Sequence, residues 1–336
     1  MQRNHTSSIA SRCVPTRGST PLMGIGEGEA YSNSMGIRTT MQGTMKRVQT
    51  SCLEIAYEDR GGPRAPPIVL VHGFPDDIRT WDAVAGPLVE AGYRTLTPYV
   101  RGFGATCFLE RATFRSGQLT ALAQDLIEFA DGVGIDGFMV VGHDWGARAG
   151  YVVAAVWPER LRGLVAISVG YGTSRPQDPI SYAQARAYWY QWYFGLERGR
   201  VALENDRRGL CRWLWETWSP GWHFDDRTFE TTAESFDNPD FVEIAIHSYR
   251  HRWGNAPGDP RYDQIEARMA NLPPIDVPTT VIHGADDGAT LPETSAGKER
   301  YFSRSYERQV IPGVGHFVQR ERPDAVVDAV LRRLRP

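Results

Sequence analysis

Short apolar runs recur along the chain, each closed by turn residues: PIVLVHG (67–73), YRTLTPYV (93–100), FMVVGH (138–143), LRGLVAISV (161–169) and PTTVIHG (278–284). Runs of that length, without alternation, are what strands buried on both faces of a parallel sheet require. LEIAYEDRG (53–61) alternates instead and ends in a Gly-Gly-Pro turn, as a strand with one wetter face would. Helix-like segments lie between most of these runs, for example GQLTALAQDLIEFADGVG (117–134). YERQVIPG (306–313) reads as the last strand, and PDAVVDAVLRRL (323–334) closes the chain as a helix. Strand–helix alternation of this kind predicts an α/β fold built on a doubly wound, mostly parallel sheet. No internal repeat is evident.

Two stretches break the alternation. Residues 172–271 hold no strand-like run but contain Trp189, Trp192, Trp213, Trp215, Trp218, Trp222 and Trp253, seven of the ten tryptophans. They read as a helical cap inserted between core segments 45–171 and 272–336, and most of the tryptophans are expected to hold that cap together. Aromatics packed between a cap and a sheet make an apolar, largely closed pocket. Residues 1–44 are rich in Ser, Thr, Gly, Met and Arg and show no sustained apolar period. Arg3, Arg12 and Arg17 precede the first acid, Glu27, as in a transit peptide, but the apolar stretch of a secretory signal is missing. A disordered tail, or an upstream start with the working chain beginning near Met45, is the expectation.

Charge and cysteine content narrow the partners. A net charge of −3 over 336 residues, with no long Lys/Arg block, argues against nucleic acid or an anionic membrane. No apolar run reaches the ~18–20 residues of a membrane span. Cys13, Cys52, Cys107 and Cys211 are scattered, without a Cys-x-x-Cys pair, and read as ordinary thiols of a cytoplasmic protein, though four cysteines allow a disulfide. No His/Cys/Asp cluster has metal-ligand spacing, so neither metal nor cofactor is expected.

The chemistry centres on MVVGHDWGA (139–147). An apolar run entering Gly-x-Asp-x-Gly, with a helix-like segment after it, is the layout of a sharp strand-to-helix turn that presents a nucleophile, here Asp144. HGADDG (283–288) offers Asp286 or Asp287 after a later strand, and PGVGHFVQRERPD (312–324) is centred on His316. Nucleophile, acid and histidine thus follow in that order, each at the C-terminal end of a predicted strand, where active sites of open parallel sheets collect. A carboxylate is ionised at neutral pH and can attack an sp³ carbon without a base to deprotonate it. His72, His143 and His283 each sit at a buried strand end and are read as structural.

From about Met45 onward, HGFP, RGFG, GHDWGA, HGADDG and GVGHFVQRERP together resemble the α/β-hydrolase superfamily. Within it, the chain is most similar to soluble epoxide hydrolases and their haloalkane and haloacetate dehalogenase relatives. The resemblance implies an α/β-hydrolase fold and makes Asp144 the nucleophile that forms an ester. The family's Gly-x-x-Asp spacing selects Asp287 as the acid that orients His316. It also implies that the backbone N–H groups of Phe74 and Trp145 form the oxyanion site, and that Pro75 follows a cis bond. YWYQWYF (188–194) and HSYRHRW (247–253) match the cap segments that carry the family's two proton-donating tyrosines, placing them at Tyr190 and Tyr249. Tyr188 or Tyr193 is the alternative for the first. Fluoroacetate-type dehalogenases resemble GHDRG(A/G)R; this chain keeps Arg148 but has Trp145 in place of the first arginine, and Gln191 where their cap has histidine. A haloacid substrate is therefore not expected.

The expected activity is hydrolysis of a small apolar epoxide to a vicinal diol through an Asp144 ester. The rivals are a haloalkane dehalogenase with the same ester chemistry and a non-catalytic binding protein on the same fold. The oligomeric state is left open, a homodimer included.

Overall fold

The computed structural model describes residues 43–173 and 175–334. The tail expectation for residues 1–42 therefore lies outside the described residues.

Nine strands form one mixed, mostly parallel sheet. In chain order they are β1 (Thr44–Gln49), β2 (Leu53–Arg60), β3 (Pro67–Val71), β4 (Arg94–Pro98), β5 (Cys107–Phe108), β6 (Phe138–His143), β7 (Leu161–Ile167), β8 (Thr279–Gly284) and β9 (Tyr306–Ile311). Their order across the sheet is β1-β2-β4-β3-β6-β7-β8-β9, with β5 paired to β2. β1 and β4 run antiparallel to β2, whereas β4, β3, β6, β7, β8 and β9 are mutually parallel.

The uninterrupted apolar runs are explained by burial on both faces. Ile68, Leu70, Met139, Val141, Val165 and Ile167 point to one side, where they meet Trp81, Val84 and Leu88 around α1 (Asp82–Glu90) and Val326 and Val330 of the C-terminal helix. The alternate residues Val69, Val71, Val140, Leu164 and Ala166 point to the other side, towards α2 (Leu119–Gly132) and α3 (Trp145–Val156). Between β7 and β8 the chain leaves the sheet for a helical cap: α4 (Tyr182–Ala187), α5 (Trp189–Gly195), α6 (Glu197–Asn205), α7 (Arg207–Trp218), α8 (Asp226–Ala233), α9 (Phe241–Arg252) and α10 (Asp263–Met269). The short α11 (Val318–Glu321) and α12 (Pro323–Leu334) end the described chain.

Two expectations are corrected. Thr44, assigned to the tail, begins β1, a strand so exposed that it carries no apolar period. The run 161–169 ends as a strand at Ile167, because Ser168 turns the backbone to φ 64°. Cys52 and Cys211 are free, buried thiols as expected.

Candidate active site

The turn between β6 and α3 is built by its glycines. Asp144 has φ 45° and ψ −107°, a conformation that L residues rarely adopt and that costs of order 1–3 kcal/mol. A Cβ on Gly146 would lie 2.1 Å from the Val71 carbonyl oxygen, and one on Gly142 would lie 2.4 Å from the Gly146 carbonyl carbon. A side chain at Gly146 would push the turn away from β3, and one at Gly142 would push the start of α3 away from β6. Asp144 is therefore thrust out of the sheet end, yet it remains buried under the cap.

The loop after β3 closes one side. Phe74 and Pro75 are joined by a cis peptide bond. The Phe74 N–H donates to Asp144 Oδ2 at 3.2 Å, and a Cβ on Gly73 would stand 2.8 Å from the Trp145 backbone nitrogen. Of the two amides expected to hold an oxyanion, that of Phe74 thus meets the Asp144 carboxylate, and that of Trp145 packs against Gly73 of the same loop. The loop is anchored from below. Asp76 is gripped by Arg320 of α11 (3.0 and 2.5 Å), and Arg320 lies 4.6 Å from the ring centroid of Trp215, whose Nε1–H donates to the Pro75 carbonyl (2.7 Å). Burial opposes ionisation of Asp76, but Arg320 outweighs it and holds the carboxyl below its ordinary range. Its neighbour Asp77 is pushed up to about 7 by burial and the adjacent charge.

Asp287, not Asp286, meets His316. Its Oδ2 accepts from His316 Nδ1 at 2.8 Å, while Oδ1 accepts from the backbone N–H groups of Ala289 and Thr290, both at 2.8 Å. A carboxylate can only accept here, so Nδ1 of His316 carries the proton and Nε2 is left as a lone pair. Burial alone would favour the neutral forms of both groups. The ion pair reverses this, holding Asp287 well below the usual carboxylate range and raising His316 above the usual histidine value. The Asp144 charge also raises His316. His316 Nε2 is buried and has no hydrogen-bond partner among the described residues.

The cap supplies the roof. Tyr190 of α5 and Tyr249 of α9 are fully buried, with ring centroids 5.3 Å apart and nearly perpendicular. Burial, then the Asp144 charge, raises the pKa of Tyr190, and burial with the charges of Tyr190 and Asp144 does the same to Tyr249. Both hydroxyls therefore keep their protons. Tyr190 Oη accepts from Gln191 Nε2 at 2.8 Å, which leaves its own proton free. The Trp145 indole N–H is near enough to favour the ionised form of Tyr249 slightly, but no aligned hydrogen bond forms, and Tyr249 Oη stays unpartnered. Trp218 lies between Tyr190 (4.7 Å, tilted) and His316 (5.0 Å, edge-on), so this cap tryptophan lines the site.

Three other histidines hold the frame. His72 donates from Nδ1 to Gly73 O and accepts at Nε2 from the Val100 N–H (each 3.1 Å), and burial lowers its pKa to about 4. His143 donates to the His316 carbonyl (3.0 Å) and is lowered to about 4 by burial and the neighbouring His316. His283 steadies Asp287 from 3.3 Å.

Sequence reasoning overlooked several supports. Two acids directly after HGFP were the available signal for the Asp76–Arg320 anchor. No signal marked Ser168, whose Oγ donates to the His316 carbonyl at 2.6 Å, nor Arg252, buried at the end of the cap helix α9 with Nε and Nη2 unpartnered. Among the described residues no helix is long and apolar enough to cross a membrane, and no cluster of His, Cys, Asp or Glu could hold a metal ion.

Residues 66–323 match the family model described as alpha/beta hydrolase fold. A crystal structure from Klebsiella pneumoniae, provisionally described as an epoxide hydrolase, is 39% identical with a TM-score of 0.83, covering 86% of this chain and 96% of that one. Epoxide hydrolase A of Mycobacterium tuberculosis is 27% identical over 87% of this chain and 97% of its own length. Epoxide hydrolase B of the same organism is 32% identical, but that match spans only 45% of each protein.

Proposed function

Since this chain belongs to the alpha/beta hydrolase fold family, we propose that it opens a small, largely apolar epoxide to a vicinal diol through an ester on Asp144. The carrying observation is the convergence of two buried, protonated tyrosine hydroxyls from the cap, Tyr190 and Tyr249, on the nucleophile's side of the sheet. Binding alone requires no such donors, nor the Asp287–His316 pair.

In the first half-reaction an Asp144 oxygen attacks an epoxide carbon, the carbon–oxygen bond of the ring breaks, and the departing alkoxide takes a proton from a tyrosine hydroxyl. In the second, the Nε2 lone pair of His316 removes a proton from water while the hydroxide attacks the Asp144 carbonyl carbon. Asp287 stabilises the imidazolium that forms. The Phe74 and Trp145 N–H groups hold the tetrahedral oxyanion. Collapse releases the diol, and the imidazolium proton restores the tyrosine. No step uses a metal or an organic cofactor. Nucleic acid and membrane are not partners in this reading, and a homodimer is compatible with it.

The haloalkane reading retains one supporting observation, the buried Trp145 Nε1–H without a partner, which could hold a halide. The two readings differ in whether a proton must be delivered. A single turnover in ¹⁸O-water tests their shared ester step: label is expected in Asp144. Label confined to the product would mean direct attack by water. Rates on styrene-type, alicyclic and fatty epoxides beside short haloalkanes then decide the electrophile, with epoxide turnover expected to dominate.

A further inference from the structure

The last turn of the cap helix α7 touches both loops that carry the acid–histidine pair. The Trp218 carbonyl oxygen accepts two backbone N–H groups, from Gly288 and from His316, each at 3.0 Å. Gly288 follows Asp287, so one oxygen, with both lone pairs in use, ties the acid loop to the histidine loop. The next residue, Ser219, is fully buried. Its Oγ accepts from the Phe317 N–H at 3.1 Å and donates to Glu321 Oε1 at 2.7 Å. The Glu321 carboxylate in turn accepts from the Gly315 N–H, at 3.1 Å to Oε1 and 3.0 Å to Oε2. Three successive amides around His316 therefore end on Glu321, Trp218 and Ser219.

A strand-end loop can satisfy such amides within itself or with water. Here two of the three acceptors come from the end of a cap helix 98 positions away in sequence. The approach is too close for side chains on the loops. A Cβ on Gly315 would lie 2.4 Å from Ser219 Cα, and one on Gly288 would lie 2.3 Å from the Thr217 carbonyl oxygen. On the far side, the His316 carbonyl accepts from Ser168 and His143. The imidazole is thus placed by what holds its backbone, and the Trp218 ring meets it edge-on. Asp144 and the two tyrosines hang on other elements: the β6–α3 turn, α5 and α9.

We propose that the end of α7 is a clamp for the hydrolytic half of the reaction, in which Ser219 and Glu321 are positioning residues that hold His316 at the ester. The inference rests on the ester reading, whether the electrophile is an epoxide or a haloalkane. It gives the cap a part in the second step besides roofing the first. A general base must come within about 2.6–3.2 Å of the group it deprotonates. A misplacement of about 1 Å can cost on the order of 10²-fold. Ester formation does not use His316, so loosening the clamp should spare that step. Changes at Ser219 or Glu321 also leave in place the Trp218 ring that meets Tyr190.

The test follows one turnover of styrene oxide by the full chain, quenched and read as intact mass, so that ester growth and decay are separate phases. Ser219→Ala and Glu321→Ala are expected to slow decay on the order of 10–100-fold and to leave growth within about twofold. In the steady state kcat then falls with KM, and kcat/KM is kept. Glu321→Gln, which keeps an oxygen for Ser219 and Gly315, should decay nearly as fast as the parent chain. Equal slowing of both phases, or decay unchanged in both alanine variants, overturns the clamp. Should Ser219→Ala fail to fold, Glu321→Ala decides alone, since Glu321 is only half-buried. If neither styrene oxide nor butyl bromide forms an ester, the ester reading fails on its own. The hold on His316 is then judged without substrate, by the downfield proton resonance of its Nδ1–H against Asp287. A shifted or broadened resonance in the alanine variants upholds the positioning role, and an unchanged one overturns it.

Discussion

Replacing Tyr249 by Phe should slow the enzyme and stabilise it at once. The hydroxyl is buried with no hydrogen-bond partner, so the folded protein bears its desolvation without compensation. Such a group costs roughly 1–3 kcal/mol. The nearby Trp145 indole N–H offsets part of that, so a gain of about 1 kcal/mol is expected, which raises Tm by about 2 °C for a domain of this size. Tyr190→Phe has the opposite sign. It strands the buried Gln191 Nε2–H that Tyr190 now accepts, so its Tm should fall by a similar amount or more. On the activity side, each hydroxyl meets an alkoxide that exists only as the ring opens, so kcat and kcat/KM fall together. By analogy with loss of one oxyanion donor, each change should cost on the order of 10²-fold, or about 2.7 kcal/mol, and the double variant should approach inactivity. Calorimetric melting and steady-state rates on the best epoxide measure both halves. A lower Tm for Tyr249→Phe would refute the account of its hydroxyl. Epoxide turnover that survives the double change would refute the role of both tyrosines.

Three further outcomes follow from the geometry. His316→Gln should accumulate the alkyl ester, seen as a substrate adduct on the Asp144 peptide by mass spectrometry, while Asp144→Ala forms none and stays folded by circular dichroism. His316 must be neutral to accept a proton, and Asp287 holds its pKa above 6.5; activity should therefore fall as pH drops through that raised value. Asp287→Asn should move this acidic limb down by about 1–3 pH units, and an unmoved limb in its residual activity would separate His316 from the profile. Arg320→Met leaves Asp76 as an uncompensated buried charge and should cost about 3–5 kcal/mol in urea unfolding; a loss below 1 kcal/mol would show that the loop is anchored elsewhere.

What could be read from the chain, and what could not, divides along physical lines. FMVVGH and PDAVVDAVLRRL appear as β6 and α12 with the expected bounds, because burial on two faces or one stripe writes itself into residue type. β1 left no such mark, since its side chains face solvent and backbone pairing with β2 does the work. α1 was hidden by Pro87, tolerated in mid-helix. At the site, the choice of Asp287 over Asp286 followed from motif spacing, and the pairing with His316 agrees with it. Arg252 escaped notice because its meaning depends on what fails to face it: an arginine beside His251 reads as solvated until the cap packs down. Arg320 likewise reads as surface charge until Asp76, far away in sequence, is placed against it.

The insertion of the cap between β7 and β8 also governs how the protein must be made. The last residue of β7, Ile167, and the first of β8, Thr279, are 112 positions apart in sequence, which a ribosome adding roughly 5–20 residues per second takes about 6–22 s to deliver. During that interval β7 is the outer strand of a growing sheet, with Leu164, Val165, Ala166 and Ile167 apolar on both faces and its backbone groups without β8 to receive them. An apolar, unpaired edge is a template for pairing with other chains. The nascent protein is therefore most prone to aggregate while the cap is being synthesised, before β8 reaches the sheet and closes that edge.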